Sequence, residues 1–463
     1  MTGRRFAADQ VAPSPDRPLT AGRGKEDSTV IHPAQRALIV GCRGGVGRAV
    51  LSLLEHSRPG RRLRSRLEAL VLADTRGGSE SVSGAVALPP VTIRSAGDLA
   101  QIVREHRITQ VIALGSLDTI ECIEVCDALG ADFLSASAEE WPGGASIPTD
   151  QVIGRLLPPN APAASRSHLV GSGANPGLVN ALAPTALRTF ARRVGVAPRA
   201  DALDLYAVLV TEEDTTREIG APSPADVFAM TWSPSHCLEE LLEPRAFAVS
   251  GGRVVGLGHR PVESAYRARC GARGINGMAV PHEELLTLSR LFPSVEMAFV
   301  YRLPHAARRA LRKHPGRVRP EQWRTHRLYP PWARALRGED RLGVLLCSRR
   351  FGEFWAGFRT DVADGVALGT NATQLQTAAG VLAGWWQLGR RRGVHFVEDL
   401  DVEEYVRSAA DILGWPLAVE DPEAPFLPLA ERLVPPPPRL RRRAAAPAAG
   451  VAPASGVEDL VLN

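Results

Sequence analysis

The side chains of this chain with the clearest chemical potential are acidic and aromatic. Glu212 and Asp214 stand in the motif EEDT, and Trp232 stands in the motif TWS. Carboxylates pair with ammonium groups, and the face of a tryptophan attracts a cation by about 0.5–2 kcal/mol. Further titratable residues follow along the chain: Glu239, Glu240, His282 and Glu284. The set is suited to a cationic amine, although each glutamate alone also fits a solvated surface and Trp232 alone fits an apolar core.

A second chemically informative feature is the glycine-rich stretch RALIVGCRGGVGRAV at residues 36–50. An apolar run precedes the first glycine and a helix-like segment follows the last, which is the order of strand, turn and helix in dinucleotide-binding units. Glycines let the backbone approach a pyrophosphate, whose charge the start of the helix favours. The predicted cradle consists of Gly41, Arg43, Gly44, Gly45, Val46 and Gly47. A glycine-rich turn without a ligand is the alternative.

The choice between NAD and NADP depends on the end of the second predicted strand. Asp74 follows that strand, and an acidic residue in this place accepts the ribose hydroxyls and favours NAD. Arg76 lies close enough to hold a 2′-phosphate, and Arg43 interrupts the usual GxGxxG spacing, which here is GxxGxxG. NAD is therefore the predicted cofactor, with NADP left open.

Two kinds of scaffold are needed to position these residues. Residues 35–172 alternate between strand and helix patterns, which predicts an α/β fold with a Rossmann-type parallel sheet. Residues 173–370 contain mostly strand-like segments and predict a mixed α+β substrate domain, in which the arginine-rich segment 305–339 is expected to be a solvated insertion. Residues 371–433 are predicted to form C-terminal helices that pack back on the Rossmann-type domain. The ends, 1–34 and 434–463, are rich in proline and charge and are expected to be disordered.

Composition excludes several other classes of protein. The 463 residues carry a formal charge of +5, which is mild for this length and predicts no nucleic-acid partner. The six cysteines form no CxxC pair, so neither a disulfide framework nor a metal site is predicted. No apolar run is long enough for a membrane helix, and no apolar segment follows the basic start of the chain. We therefore expect a cytoplasmic protein without a membrane partner.

Six short stretches resemble those of bacterial homospermidine synthases, in the saccharopine dehydrogenase-like group. They occur in the same order as in that family: GANPGLV at 173–179, EEDT at 212–215, TWS at 231–233, PHEE at 281–284, LGVLL at 342–346 and NATQLQ at 371–376. The similarity extends from about residue 36 to 420. The shared order of the motifs is specific for the family.

The resemblance implies an NAD-dependent enzyme of polyamine biosynthesis, an aminoalkyl transferase and oxidoreductase without net redox change. A diamine such as putrescine would lose hydride and become an imine, a second amine would add, ammonia would leave, and the hydride would return. By the same resemblance Trp232 would hold an ammonium, Glu212 would pair with it or deprotonate it, and Asn175 would lie between nicotinamide and substrate. Further substrate contacts are implied for Glu139, Asp214, Glu240, His282 and Glu284. A homodimer is a further expectation of the resemblance.

The residues agree with this chemistry in one respect and depart from the family in others. An amine must be neutral before it releases hydride or attacks, so a base is needed, and lysine occurs only at Lys25 and Lys313. Carboxylates or histidine must therefore serve as the base. The altered glycine spacing and the run Ser135-Ala136-Ser137, where the family carries an acid, indicate a divergent member with a different amine substrate.

Two other functions remain open from the sequence. One is an NAD(P)H-dependent imine reductase of the saccharopine or carboxyspermidine dehydrogenase type. An arginine cluster for a substrate carboxylate would favour it, and Arg217 alone lies near the central motifs. The other is a non-catalytic protein that senses a nucleotide, which the absence of Glu212 or Trp232 would have favoured.

Overall fold

The computed structural model of the chain describes residues 9–10, 35–79, 82–143, 148–220, 223–333 and 335–434. Apart from residues 9–10 and 434, the two ends for which disorder was predicted lie outside these described residues.

The described strands are numbered in chain order: β1 (Asp9–Gln10), β2 (Gln35–Val40), β3 (Leu67–Ala73), β4 (Val86–Ala87), β5 (Gln110–Ala113), β6 (Asp132–Ser135), β7 (Ser167–Leu169), β8 (Leu205–Asp214), β9 (Arg217–Glu218), β10 (Val227–Met230), β11 (Phe247–Ser250), β12 (Arg253–Gly256), β13 (Ala265–Cys270), β14 (Arg273–Val280), β15 (Glu296–Arg302), β16 (Arg324–Arg327), β17 (Leu336–Arg337), β18 (Glu339–Ser348), β19 (Gly352–Asp361), β20 (Gly393–His395), β21 (Leu417–Asp421) and β22 (Leu433–Val434). The described α-helices are α1 (Gly45–His56), α2 (Arg58–Arg64), α3 (Ala96–Glu105), α4 (Thr119–Ala128), α5 (Thr149–Leu156), α6 (Leu178–Val194), α7 (Pro234–Leu241), α8 (Glu283–Leu288), α9 (His305–Lys313), α10 (Val362–Ala367), α11 (Ala372–Gln387), α12 (Val402–Leu413) and α13 (Leu429–Arg432).

The first layer of the fold is a parallel sheet with strand order β20-β7-β6-β5-β2-β3-β4. Its central strands β2, β5 and β6 consist mostly of buried apolar residues, as expected for strands covered by helices on both faces. The edge strand β20 comes from the C-terminal part of the chain, so that part completes the sheet as well as supplying helices. The carboxyl ends of β2, β3, β5 and β6 meet at one edge, where ligands of such sheets bind.

The second layer is a larger mixed sheet that contains β8 at its centre. β8 pairs in parallel with β15 on one side and antiparallel with β18 on the other. All ten residues of β8 are buried, including the carboxylates at its end. The remaining pairs of this sheet, among them β11 with β12 and β18 with β19, are antiparallel. The predicted fold class, a Rossmann-type parallel sheet with a mixed α+β domain, is confirmed.

Helix α11 connects the two layers. It is buried along nearly its whole length and packs against α1, the helix that follows the glycine turn. Asn371 caps its start by accepting the N–H of Gln374, and the Gln374 amide donates to the carbonyl of Thr231 at 2.9 Å. A Cβ on Gly45 would lie 1.7 Å from the Gln374 side chain, so a larger residue there would displace the Gln374 amide from this position. The NATQLQ motif therefore fixes the glycine turn relative to the TWS motif.

The arginine-rich segment 305–339 is not the solvated insertion that its composition suggests. Its strand β16 pairs in parallel with β10, just before the TWS motif. The segment then brings Arg327 and Tyr329 into the wall of a cavity, and Arg48 of α1 donates a hydrogen bond to the carbonyl of Pro330. Buried apolar residues along the segment, such as Trp323 and Leu328, explain why it packs on the domain. In the described part of the chain, no helix is both long and apolar enough to cross a membrane.

Candidate active site

The glycine turn lies at the carboxyl end of β2 and leads into α1. Gly41 has φ +82°, and a Cβ there would lie 2.9 Å from the backbone of Leu114. A Cβ on Gly47 would lie 2.3 Å from the carbonyl oxygen of Gly41, so this glycine lets the helix approach the turn. The start of α1 has no side-chain cap and no acidic residue in its first turn. Its N–H groups and dipole can therefore favour an anion.

Asp74 joins the glycine turn to the end of β3. Its Oδ2 accepts the N–H of Arg43 at 2.9 Å, and its Oδ1 accepts the N–H and Nε of Arg76 at 3.1 and 3.2 Å. The Arg43 side chain points away from the turn and donates to the carbonyls of Gly77 and Gly78, both at 2.8 Å. Arg43 therefore shapes the loop through its backbone and its side chain, and Asp74 already has a cationic partner in Arg76.

Two adjoining cavities meet at this edge of the sheet. The edge cavity has a volume of about 600 Å³, and its walls include Gly41, Gly44, Asp74, Arg76 and Arg327. The central cavity has a volume of about 530 Å³ and extends from the helix start at Gly45 and Val46 to the end of β8. The two cavities share the backbone from Leu114 to Leu117, after β5, and the side chain of Arg327. A long ligand could therefore occupy the edge cavity and reach the central one.

Glutamates dominate the wall of the central cavity. Six of them line it: Glu139, Glu212, Glu239, Glu240, Glu243 and Glu283. Among the described lining residues, Arg327 is the one arginine, and it lies where the two cavities join. Asn175, Trp232 and His282 also line this cavity. The structure thus brings together most of the residues that the sequence singled out on separate motifs.

Glu212, Tyr301 and Trp232 form a connected group at the bottom of the central cavity. The strands β8 and β15 place Glu212 and Tyr301 directly opposite each other. The Tyr301 hydroxyl hydrogen-bonds to Glu212 and accepts the indole N–H of Trp232 at 3.3 Å. Burial raises the pKa of Glu212 well above its usual range, and the carboxylates of Asp340 and Asp214 raise it further. Trp232 is half-buried and is part of the cavity wall, which is a position for ligand contact as well as packing.

The two glutamates of the PHEE motif, at the start of α8, lie in different environments. Glu284 is fully buried, does not line the central cavity, and hydrogen-bonds to Nδ1 of His282. Burial alone would lower the pKa of His282, but the Glu284 carboxylate, together with Glu240 and Glu283, outweighs burial and the pKa rises to about 9. Glu283 is the glutamate that faces the cavity, and it accepts the N–H of Ala138 at 3.0 Å. The structure therefore assigns Glu284 to the support of His282 and places Glu283 where the sequence suggested Glu284.

Asp214 also lies behind the cavity wall. It is 1% exposed, its Oδ2 accepts the Thr231 hydroxyl at 2.6 Å, and its Oδ1 accepts the N–H of Thr216 at 2.7 Å. Direct substrate contact, as implied for this residue, does not fit that position. Burial raises the pKa of Asp214, whereas the Thr216 and Thr231 hydroxyls act in the opposite direction.

Three further glutamates of the central cavity are half-buried and have raised pKa values. Burial raises the pKa of Glu240 to about 8, partly opposed by His282, and the pKa of Glu243 to about 7. Burial likewise raises the pKa of Glu283 to about 8. A cation in this space would favour the charged forms of all three carboxyl groups.

Several lining residues have no counterpart in the sequence prediction. Tyr301, Glu243, Arg327, Tyr329 and Gln374 all reach the central cavity. Tyr301 could have been found only from the pairing of β8 with β15, which the sequence does not specify. Arg327 and Tyr329 were hidden in the segment interpreted as an insertion. Glu283 could have been found from the sequence, because it stands between His282 and Glu284, which the prediction included.

The fold and the site define an α/β protein with a Rossmann-type parallel sheet, a second, mixed sheet and an acidic cavity between these two layers. No protein-family model matches the sequence, and curated protein sequences give no match either. Among solved structures, the chain resembles homospermidine synthase from Legionella pneumophila in complex with NAD, with a TM-score of 0.70 and 20% identity over 87% of this chain and 94% of that one. It also resembles saccharopine dehydrogenase (L-Glu forming) from Saccharomyces cerevisiae, with a TM-score of 0.51 and 11% identity over 83% and 99% of the two chains. At these identities the similarity shows a common fold.

Proposed function

We propose that this chain is an NAD-dependent enzyme that joins two amines through an imine, as a homospermidine synthase does. The observation that carries the proposal is the central cavity: six glutamates and Trp232 line a space that begins at the glycine turn. The similarity in fold to a homospermidine synthase in complex with NAD supports it.

The residues at the glycine turn fit a dinucleotide. The uncapped start of α1 suits the pyrophosphate, and the edge cavity offers Asp74 to the ribose hydroxyls. The nicotinamide end would reach the central cavity past Leu114 and Leu117, beside Asn175. Bound in this way, NAD would supply reversible hydride transfer. The carboxylate of Asp74 would repel a 2′-phosphate, so NAD is the favoured nucleotide, although Arg76 moderates that preference.

The central cavity fits a diamine better than an amino acid. Its glutamates give each ammonium group a carboxylate, and the ring of Trp232 adds a cation–π contact. A carboxylate on the substrate would face this acidic wall, with Arg327 at the junction of the cavities as its one arginine partner among the described lining residues.

Proton transfer falls to Glu212 in this proposal. A substrate ammonium held against Trp232 lies beside Glu212, whose raised pKa makes it a stronger proton acceptor than an ordinary carboxylate. Tyr301 holds both side chains through its hydroxyl. His282, which Glu284 orients through Nδ1, faces the same space and can exchange protons with amines as they enter or leave.

Incubation of the purified protein with putrescine and a catalytic amount of NAD⁺ tests the proposal. We expect ammonia and homospermidine to form without accumulation of NADH, as followed by mass spectrometry and absorbance. Other diamines and polyamines tested in parallel identify the preferred amine. A requirement for stoichiometric NADPH together with a carboxylated aldehyde would refute the proposal.

A reductase for carboxylated imines is the second candidate. Arg327 is the observation that favours it, because a cation at the junction of the cavities would hold a substrate carboxylate near the nicotinamide. This candidate predicts that Arg327→Gln raises the KM for the carboxylated substrate by a larger factor than it weakens NADPH affinity.

A further inference from the structure

Two buried aspartates and two buried threonines form a chain of hydrogen bonds behind the central cavity. Asp214 and Asp340 face each other across the pair of β8 and β18. Thr231 Oγ1 lies 2.6 Å from Asp214 Oδ2, and Thr373 Oγ1 lies 3.2 Å from Thr231 Oγ1. Thr373 Oγ1 also contacts Asp340 Oδ2. Of these four side chains, only Thr373 reaches the wall of the cavity.

The hydroxyl protons in this chain of hydrogen bonds are fewer than its oxygen–oxygen contacts. There are three oxygen–oxygen contacts, and the two threonines supply two hydroxyl protons. A third proton would make all three contacts hydrogen bonds; without it, one of them is only a van der Waals contact between two oxygens. The carboxyl groups at the two ends are the remaining groups that can carry it. We propose that Asp214 and Asp340 share one proton through the hydroxyls of Thr231 and Thr373.

The surroundings place this proton on Asp340. Asp214 Oδ1 accepts the N–H of Thr216 at 2.7 Å, so a negative charge on Asp214 is hydrogen-bonded. Asp340 Oδ1 is buried and has no hydrogen-bond partner among the described residues, which disfavours an ionised group. With the proton on Asp340 Oδ2, each group donates to the next, from Asp340 through Thr373 and Thr231 to Asp214. Burial and the charge of Asp214 raise the pKa of Asp340 well above its usual range, in agreement with this direction.

Other titratable and charged groups surround these four hydrogen-bonded side chains, on the neighbouring strands and helices. They are Glu212 and Glu213 on β8, Glu339 and Arg341 on β18, Cys237 on α7, Cys270 on β13, Glu284 on α8 and Tyr301 on β15. Arg302 pairs with Glu213, and Arg359 and Arg341 pair with Glu339, so these two charges are balanced. In the described part of the chain no cation pairs with Glu212. The proton on Asp340 therefore removes a negative charge beside the proposed base, which lets Glu212 ionise and accept a proton; this role rests on the proposed function.

Infrared spectroscopy of the free protein tests the shared proton directly. Asp340→Asn is the matched variant, because its amide can donate to Thr373 as the protonated carboxyl does. Spectra are compared above the pKa of about 8 at which Glu240 and Glu283 ionise. We expect a protonated-carboxyl band that loses intensity in Asp340→Asn and keeps its intensity in the control Glu339→Gln, while Glu212→Gln identifies any part of the band that comes from Glu212. A band that is unchanged in Asp340→Asn would overturn the proposal.

Thr373→Val provides a second spectroscopic test with little change in side-chain volume. It removes the acceptor of the Asp340 proton and leaves both aspartates in place. We expect the protonated-carboxyl band to persist but to shift toward the frequency of a carboxyl without a hydrogen-bond acceptor. An unshifted band would show that the proton is not held by the threonine chain.

The role in catalysis is tested separately by the pH profile of amine turnover. Asp340→Asn is expected to keep turnover at neutral pH within about threefold, since the chain of donors is preserved. Thr373→Val is expected to lower turnover about tenfold and to move the acidic limb of the profile. Equal losses of turnover in both variants at every pH would show that the chain of hydrogen bonds has only a structural role. Absence of amine turnover in the unmodified protein would refute the proposed function while leaving the infrared readout of the proton intact.

Discussion

The edge cavity and the central cavity are adjacent but have opposite electrostatic character. Arg76 and Arg327 line the edge cavity together with the single carboxylate of Asp74. Six glutamates line the central cavity. A dinucleotide is an anion and a protonated diamine is a cation, so under the proposed function the edge cavity would favour the first ligand, and the central cavity would favour the second once its glutamates ionise. The contrast teaches that two adjoining cavities can differ in the charge of the ligand that they accept.

The largest expected effect separates catalysis from nucleotide binding. Glu212→Gln removes the proposed base but keeps the side-chain shape, so turnover should fall by about 100-fold or more. NAD affinity, measured by calorimetry, should remain unchanged because Glu212 lies at the far end of the central cavity. Glu213→Gln is the control, since Glu213 pairs with Arg302 and does not line the cavity. A fall in NAD affinity equal to the fall in turnover would contradict the separation.

Substitutions of Trp232 test whether the central cavity binds a cation. Trp232→Ala should lower kcat/KM for the amine by about 30-fold, the upper end of a cation–π contribution of about 2 kcal/mol. Trp232→Phe keeps a ring and loses the hydrogen bond to Tyr301, so its loss should be smaller. Steady-state kinetics on both variants, with NAD affinity measured in parallel, distinguishes the roles. Equal loss of amine turnover and nucleotide affinity in Trp232→Ala would assign the indole to the core.

The sequence predicted the fold where the signal was local. The glycine turn, the alternating pattern of the first domain and the strands of the second domain all depend on short stretches of chain. Asp74 was recognised in the same way, as an acid that ends a strand. These features follow from backbone freedom and from the periodicity of apolar residues, which a sequence displays directly.

The part of the site that depends on long-range pairing was not predictable. Tyr301 meets Glu212 only because β15 pairs in parallel with β8 in one register. Glu283 and Glu284 are adjacent, and the N-terminal turn of α8 decides which of them faces the cavity. Arg327 stands in an arginine-rich segment whose composition is that of a solvated surface, and only the pairing of β16 with β10 brings it to the junction of the two cavities.

The carboxyl groups of the central cavity should link amine binding to pH. Glu240 and Glu283 have pKa values of about 8, so both are largely protonated at neutral pH and must ionise to pair with an ammonium. Amine affinity should therefore rise as pH rises through about 8, until the amine itself loses its proton near about 10. Calorimetry over this range should show proton release on binding and a gain of about tenfold in affinity. Glu240→Gln should flatten the rise, and the exposed Glu239→Gln should not.

The same raised pKa values predict a matching trend in stability. A carboxyl whose pKa is higher in the folded than in the unfolded protein stabilises the fold below its unfolded pKa, and that contribution disappears as pH rises through the folded pKa. Because of Glu240 and Glu283, the free energy of unfolding of the ligand-free protein should decrease as pH rises from about 4.5 to 8. A Glu240→Gln Glu283→Gln double variant should show a smaller decline in melting temperature over that range. Identical declines in the variant and the unmodified protein would mean that the two side chains are solvated.

The smallest effect concerns the choice of nucleotide in the edge cavity. Arg76 is half-exposed and pairs with Asp74 at 3.2 Å, a geometry that contributes about 0–1 kcal/mol. Arg76→Ala should therefore change NAD affinity by no more than about threefold, whereas NADP should lose a cation that could pair with its 2′-phosphate and should weaken further. Asp74→Asn should act in the opposite direction, because it removes the charge that repels a 2′-phosphate. Calorimetric titration of both variants with both nucleotides gives the ratio of NAD affinity to NADP affinity for each variant. If Arg76→Ala weakened NAD more than NADP, Arg76 would serve the fold of the loop rather than the selection of the nucleotide.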